Sequence, residues 1–366
     1  MKDIYPRITP HLEKHAIIVN GLYPFSHPGN KKIFEVAFEK FAVSADTITI
    51  DFKEPCLFLD KNRTTIVFDL LHDLIDSTKF TNLVILKSVH LHTESCYTDW
   101  CRLENKQPRL TIQNNSLIYN ITRPVKGGYS LIETDKDKTM SLLIGNLRFQ
   151  KAHVVKWYLT NIFSTNYESK VLSSFMIDGR YQLPPDLINF KDQIKQLPGK
   201  LSDNSQSRNF KALWNGSFSK DGFNSQFSRS LFNFCIDYVE FEDFQDYTLY
   251  ESFKKQQPWW KEDVISEKTF MCILFKQPFI RLGMPHSLKT LHSWGFRTYD
   301  GILFDESYDT IENFYDRADH IFSQVMSYLE QPFESVYEKV YSTQVQEVVN
   351  HNYNLAMDII KSDKYL

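Results

Sequence analysis

The chain has 366 residues with only 12 glycines and 5 cysteines, and no apolar run approaches the ~20 residues of a bilayer-crossing helix. The cysteines, Cys56, Cys96, Cys101, Cys235 and Cys272, are odd in number and scattered, which argues against a secreted disulfide framework and for reduced thiols. Residues 1–21 carry no apolar stretch behind their charges, so neither a targeting signal nor a membrane span is expected, and the location expected is cytoplasmic. An excess of one charge sign is also missing. The formal net charge of -3 leaves no global basic field, so a grip on nucleic acid would need a local patch. There is no G-x-G-x-x-G, Walker loop, H-E-x-x-H, G-x-S-x-G or C-x-x-C, which argues against the familiar dehydrogenase and P-loop classes.

What is present is an ordinary globular balance, 42% hydrophobic and 24% charged, which excludes a wholly disordered or fibrous chain. At roughly 150 residues per domain, the length predicts about two domains. The 29 Phe and 19 Tyr are what codon bias in an AT-rich genome produces, and they carry no functional reading alone.

Apolar periodicity lays out the elements. A strand at 16–19, a Gly/Pro/His loop at 21–29 and a helix with Ile33, Val36, Ala37 and Phe41 at helical spacing form a β-loop-α unit. Strand-like runs follow at 47–52, 65–70 and 83–89, and alternation over 110–122 predicts a strand or hairpin arm. The polar run 133–138 reads as a linker. Beyond it come a strand at 140–144, a turn at 145–148 and a helix at 153–163, then a strand at 231–241, a helix at 266–275, a strand at 278–282 and a helix at 287–293 ended by Gly295. Alternating β and α predict a parallel sheet whose ligands bind at the carboxyl ends of its strands. Amphipathic helices at 311–329 and 345–361 close the chain.

Three groups of residues carry candidate chemistry. His90, His92, Cys96 and Cys101 are metal-ligand types within twelve residues and keep open a metal-dependent hydrolase, although their spacing fits no standard zinc site and packed or surface roles explain them as well. Asp135-Lys136-Asp137 has the Asp-x-Asp form that can hold a divalent metal against a diphosphate, yet it sits in the charged linker. The third group is a pair of strand-to-helix turns. Asn146 and Arg148 stand where backbone N–H groups and an Arg fork meet a phosphate. Ser266-Glu267-Lys268-Thr269 opens a helix, with Ser266 as a plain N-cap or, more sharply, with Glu267 on ribose hydroxyls and Lys268 on a diphosphate.

The segments 141–153, 265–280, 288–300 and 304–309, in that order, resemble a group of viral and bacterial glycosyltransferase-like proteins. The first resembles their Asn-x-Arg-x-x-x-x-His turn, Asn146, Arg148 and His153 here, without its prolines and second arginine; the second resembles the Ser/Thr-Glu-Lys helix of fucosyltransferase-like enzymes. The resemblance spans about 140–330 and implies an α/β, GT-B-like architecture: two Rossmann-like domains facing across a cleft, with C-terminal bracing helices. The implied divisions are 1–138 for the acceptor side, 139–330 for the nucleotide-sugar donor and 331–366 as a helical tail packing back on the N-terminal domain. It also implies a donor such as a UDP-sugar held by Asn146, Arg148, His153, Ser266, Glu267, Lys268 and Thr269, with no bound metal or other cofactor. A base for the acceptor hydroxyl is sought among His27, Glu94 and Asp99. The acceptor expected is a hydroxymethylated DNA base, as in bacteriophage DNA modification, or equally a glycan or a protein. The departures in the first turn keep open a non-catalytic binding or structural protein on the same fold.

Overall fold

The computed structural model describes residues 8–20, 24–26, 29–53, 57–59, 66–89, 92–126, 134–146, 149–176, 185–194, 196–197, 227–237, 252, 255–257 and 265–362. The chain forms two compact units, one of residues 1–119 and 252–262, the other of 120–251 and 263–366. The division thus falls at 119/120, ahead of the expected one at 138/139.

The first unit is built on a five-stranded sheet whose strands lie in chain order: β1 (Ile8–His11), β2 (Ala16–Val19), β3 (Thr47–Phe52), β4 (Leu83–Ser88) and β5 (Leu110–Asn114). β1 is antiparallel to β2, and the other pairings are parallel. Helices α1 (Asn30–Ser44), α2 (Val67–Thr78) and α3 (Thr93–Leu103) connect the parallel strands. They cover one face. Ile48, Ile50 and Phe52 of β3 are buried while the alternating Thr47, Thr49 and Asp51 are half-exposed, the period-two pattern of a sheet packed on one side. α1 supplies Phe34, Phe38 and Phe41 to that core, and each fully buried Phe is worth about 1.5–3 kcal/mol.

Two expectations fail in this half. Within 65–70, read as a strand, residues 67–70 begin α2 instead, because the apolar run continues through Leu71, Leu74 and Ile75 at helical spacing. Residues 110–122 are not one strand: β5 ends at Asn114, whose Oδ1 accepts the Ser116 N–H at 2.9 Å, and α4 (Ser116–Lys126) starts there. This side-chain turn is the mechanism by which Asn opens a helix.

The second unit holds a four-stranded, wholly parallel sheet. Its strands are β6 (Lys138–Asn146), β7 (Val171–Met176), β8 (Ser230–Ile236) and β9 (Phe279–Leu282), in spatial order β7-β6-β8-β9. α5 (Phe149–Asn161) follows β6, and the short α6 (Lys191–Ile194) follows β7. α7 (Glu267–Leu274) leads into β9, and α8 (Ser287–Ser293) leaves it, ended by Gly295 at φ 87°. α9 (Phe314–Glu330), α10 (Phe333–Val340) and α11 (Thr343–Ser362) complete the chain.

β8 separates the helix layers. Trp157 of α5 meets Phe234 at 6.1 Å and stacks on Phe322 of α9 at 4.5 Å, so α5 and α9 share the Phe234 face. Thr269 of α7 reaches the neighbouring Cys235 and Asp237, which point to the opposite face. α11 packs on α7, and α10 packs on β6 and β8. The tail, expected to return to the N-terminal domain, is therefore packed within the second unit. The expected linker is also structural. Asp137 forms an ion pair with Arg229, whose Nε lies 2.8 Å away, and Lys136 Nζ donates to the carbonyls of Ser228 and Ser230, where burial pushes its ammonium down to about 8. Among the described residues, no helix is long and apolar enough to cross a membrane.

Candidate functional site

A parallel sheet offers a ligand crevice where neighbouring strands send their helices to opposite faces, because the connections then part at the carboxyl edge. In the first sheet the strands run in chain order, so no such reversal occurs among them. In the second it occurs between β6 and β8, whose following helices, α5 and α7, lie on opposite faces. Both crevice strands end at the same edge, β6 at Asn146 and β8 at Ile236. Three of the sequence candidates, Ser266, Glu267 and Lys268, open α7 at that edge.

The start of α7 is fixed from beneath by Asp237, the residue after β8. Asp237 is fully buried, and its Oδ2 accepts from Arg281 Nε of β9 at 2.5 Å and from Thr269 Oγ1 at 2.7 Å. Ser266 Oγ donates to the other oxygen, Oδ1, and itself accepts the Lys268 N–H at 3.2 Å as the N-cap of α7. Ser266 and Thr269 are thus turned inward, which leaves the half-exposed Glu267 and Lys268 as the side chains of this turn that reach the surface. The Arg281 guanidinium lies so close to Gly283 that a Cβ there would meet it at 2.5–2.7 Å. Gly283 also presents its carbonyl to the buried Arg317, Nε to O 3.0 Å. A side chain at 283 would have to displace the Arg281 guanidinium, which Asp237 holds.

Deeper along α7, Cys235 lies 3.7 Å from Thr269 Oγ1, and burial together with the neighbouring Cys235 thiol pushes the Cys272 thiol up. Both cysteines are buried in the core. Asp309 caps α8 by accepting from Ser287 Oγ and Leu288 N, each at 3.1 Å, and Asp305 caps the 3-10 turn that begins at Glu306.

The other predicted residues stand elsewhere. His153 is on α5, its Nε2 3.2 Å from Asp319 and its ring against Tyr315 at 5.0 Å and Phe322 at 5.5 Å, so it ties α5 to α9. Asn146 is the last residue of β6, and Arg148 and His27 lie outside the described residues. In the first unit, Glu94 is exposed in the first turn of α3, and Asp99 on the same helix pairs with Arg102 at 3.4 Å. For the metal alternative, His90 lies outside the described residues, His92 precedes α3, and Cys96 and Cys101 are buried in the core. Among the described residues no group of three or more His, Cys, Asp or Glu could hold a metal ion.

Sequence reasoning missed Asp237 and Arg281. The signal available was a charged residue within each of two apolar strand runs; their pairing across the sheet has no counterpart in sequence spacing. No family model, no curated protein and no solved structure matches this chain.

Proposed function

We propose that the chain is a glycosyltransferase that moves a sugar from a nucleotide-sugar donor, such as a UDP-sugar, to a hydroxyl acceptor. The donor's diphosphate sits at the carboxyl edge between β6 and β8, in a GT-B-like manner. The observation that carries this reading is the reversal of strand order at that edge, with Ser266-Glu267-Lys268-Thr269 opening a helix on one side and Asn146 ending the strand on the other.

The chemistry follows from charge. As the glycosidic bond to the diphosphate breaks, negative charge builds on the leaving phosphate. The positive end of α7 and the ammonium of Lys268 stabilise that charge as it grows, with Arg148, two residues beyond β6 in the sequence, as a second cation. Glu267 is a hydroxyl acceptor for the ribose. The acceptor's proton goes to a base sought among His27, Glu94 and Asp99; of the two described, Asp99 is held by Arg102 while Glu94 stands at the exposed surface of α3. A hydroxymethylated DNA base or a glycan supplies the acceptor hydroxyl.

Calorimetric titration with UDP and other nucleoside diphosphates tests the reading. One of them binds, and Lys268→Ala weakens it by about tenfold, the usual scale for a charge-assisted contact, with an unchanged circular dichroism spectrum. Affinity unchanged in Lys268→Ala, or no binding of any nucleoside diphosphate to the intact protein, overturns it. Binding without hydrolysis or transfer would leave the non-catalytic alternative.

A further inference from the structure

We infer that Asp237 is a positioning residue for the donor diphosphate: through Ser266 and Thr269 it fixes the first turn of α7, and with it Lys268. The inference rests on the donor reading above and adds the buried group on which that site depends.

One carboxylate gathers three segments. It accepts from Ser266 and Thr269 at the start of α7, from Arg281 of β9 at 2.5 Å, and it is itself the residue that follows β8. The Ser266 hydroxyl has both of its roles filled, its proton on Asp237 and its oxygen on the Lys268 N–H at 3.2 Å. Rotating Ser266 toward a ligand would therefore break the cap and the clamp together. The turn is pinned at the residues on either side of Glu267 and Lys268, so these two leave the helix in a set direction.

Arg281 has a second part in the arrangement. A lone carboxylate under a helix start would draw on the same positive helix end that an incoming anion needs. With the guanidinium against it and both side chains wholly buried, Asp237 organises the turn without presenting net negative charge to the ligand. The carboxylate works as scaffold, and the positive end of α7 stays directed outward.

The test combines binding and amide exchange. Affinity for UDP and for inorganic pyrophosphate is measured by calorimetry in the full-length protein and in Thr269→Val, Thr269→Ser, Lys268→Ala and Lys268→Ala/Thr269→Val. Thr269→Val, which keeps the shape and loses the hydroxyl, weakens binding by about tenfold, the scale of a hydrogen bond to a charged group, and Thr269→Ser restores it. The double variant binds no more weakly than Lys268→Ala alone, because Thr269 acts through Lys268. Additive losses, or no loss in Thr269→Val, overturn the proposal. Hydrogen exchange at residues 267–270 keeps the two readings apart. If neither probe binds the unaltered protein, the donor reading falls by itself. The clamp is then supported by faster exchange of those amides in Thr269→Val and refuted by equal exchange.

Discussion

The hydroxyl of Tyr97 is hydrogen-bonded to Nε2 of His72 across 2.9 Å. Tyr97 Oη also accepts the N–H groups of Arg109 at 2.6 Å and Leu110 at 3.1 Å. The His72 ring also lies edge-on to Trp100 at 4.8 Å, and the whole group joins α2, α3 and the approach to β5.

Removing that hydroxyl strands several partners at once. Tyr97→Phe removes a partner from the buried Leu110 N–H and the buried His72 imidazole, each costing about 1–3 kcal/mol, and from the part-buried Arg109 N–H. Chemical denaturation should show a loss at the upper end of that range or beyond. A loss below 0.5 kcal/mol would show that water replaces the phenol.

Acid should weaken the same group. Burial, followed by the charges of Arg109 and Lys106, lowers the pKa of His72 below its ordinary 6.5. The unfolded chain takes up a proton at 6.5 that the folded one refuses, so stability is complete above that pH and declines as pH falls below it. In His72→Gln, whose amide oxygen can accept from Tyr97, this contribution to the acid limb of a melting-temperature profile should disappear. An unaltered profile would place the dependence elsewhere.

Glu306 has the opposite sign. Burial pushes its carboxyl up to about 7, reinforced by Asp300 and Asp309, while Thr298 and the Tyr299 N–H at 2.8 Å bond to it. The folded chain retains a proton that the unfolded chain releases near 4.5, so this contribution is full below 4.5 and is lost as pH rises to about 7. Glu306→Gln should therefore raise the melting temperature at pH 8 by about 2–4 °C, the effect of ~1 kcal/mol in a domain of this size, and leave it unchanged at pH 4. A lower melting temperature at pH 8 would mean that the carboxylate is the stabilising form.

The Asp237–Arg281 pair should be costly to halve and cheap to remove whole. Asp237→Asn or Arg281→Met alone leaves one buried charge uncompensated, at about 3–5 kcal/mol, and the double variant should recover most of that loss. Urea midpoints of the three proteins decide it; equal losses in the single and double variants would refute coupling. Gly283→Ala, which drives a methyl into the Arg281 guanidinium, should cost about 1–3 kcal/mol.

Much of the second unit was readable from periodicity. α7, β9 and α8 fall within a few residues of the apolar runs that predict them, helped by caps and breakers: Ser266 before α7, Lys276 at φ 52° after it and Gly295 after α8; β8 starts where expected but ends at Ile236, short of the expected 241. In the first unit the boundaries were harder to read. Val67-Phe68 and Leu70-Leu71 suit a strand as well as a helix, and only the full length of α2 decides between them. At the candidate site, the cap role of Ser266 was visible, but not that its hydroxyl and that of Thr269 face inward. That depends on Asp237, which is adjacent only after β8 and α7 pack together.

The clamp of Asp237 on Ser266 also closes a ring in the chain. Between them runs the excursion 238–265, of which 252–262 belongs to the first unit. The chain therefore passes between units three times, and a single cut at 119/120 cannot separate them cleanly. A second unit made alone would carry 252–262 without its neighbours, and it is best joined from 237 toward 265 by a short flexible bridge. Ser266 must still come to rest on Asp237 for such a fragment to keep the start of α7. A nick within 238–265 would likewise turn this clamp from a loop closure into the association of two chain ends, at a higher entropic cost.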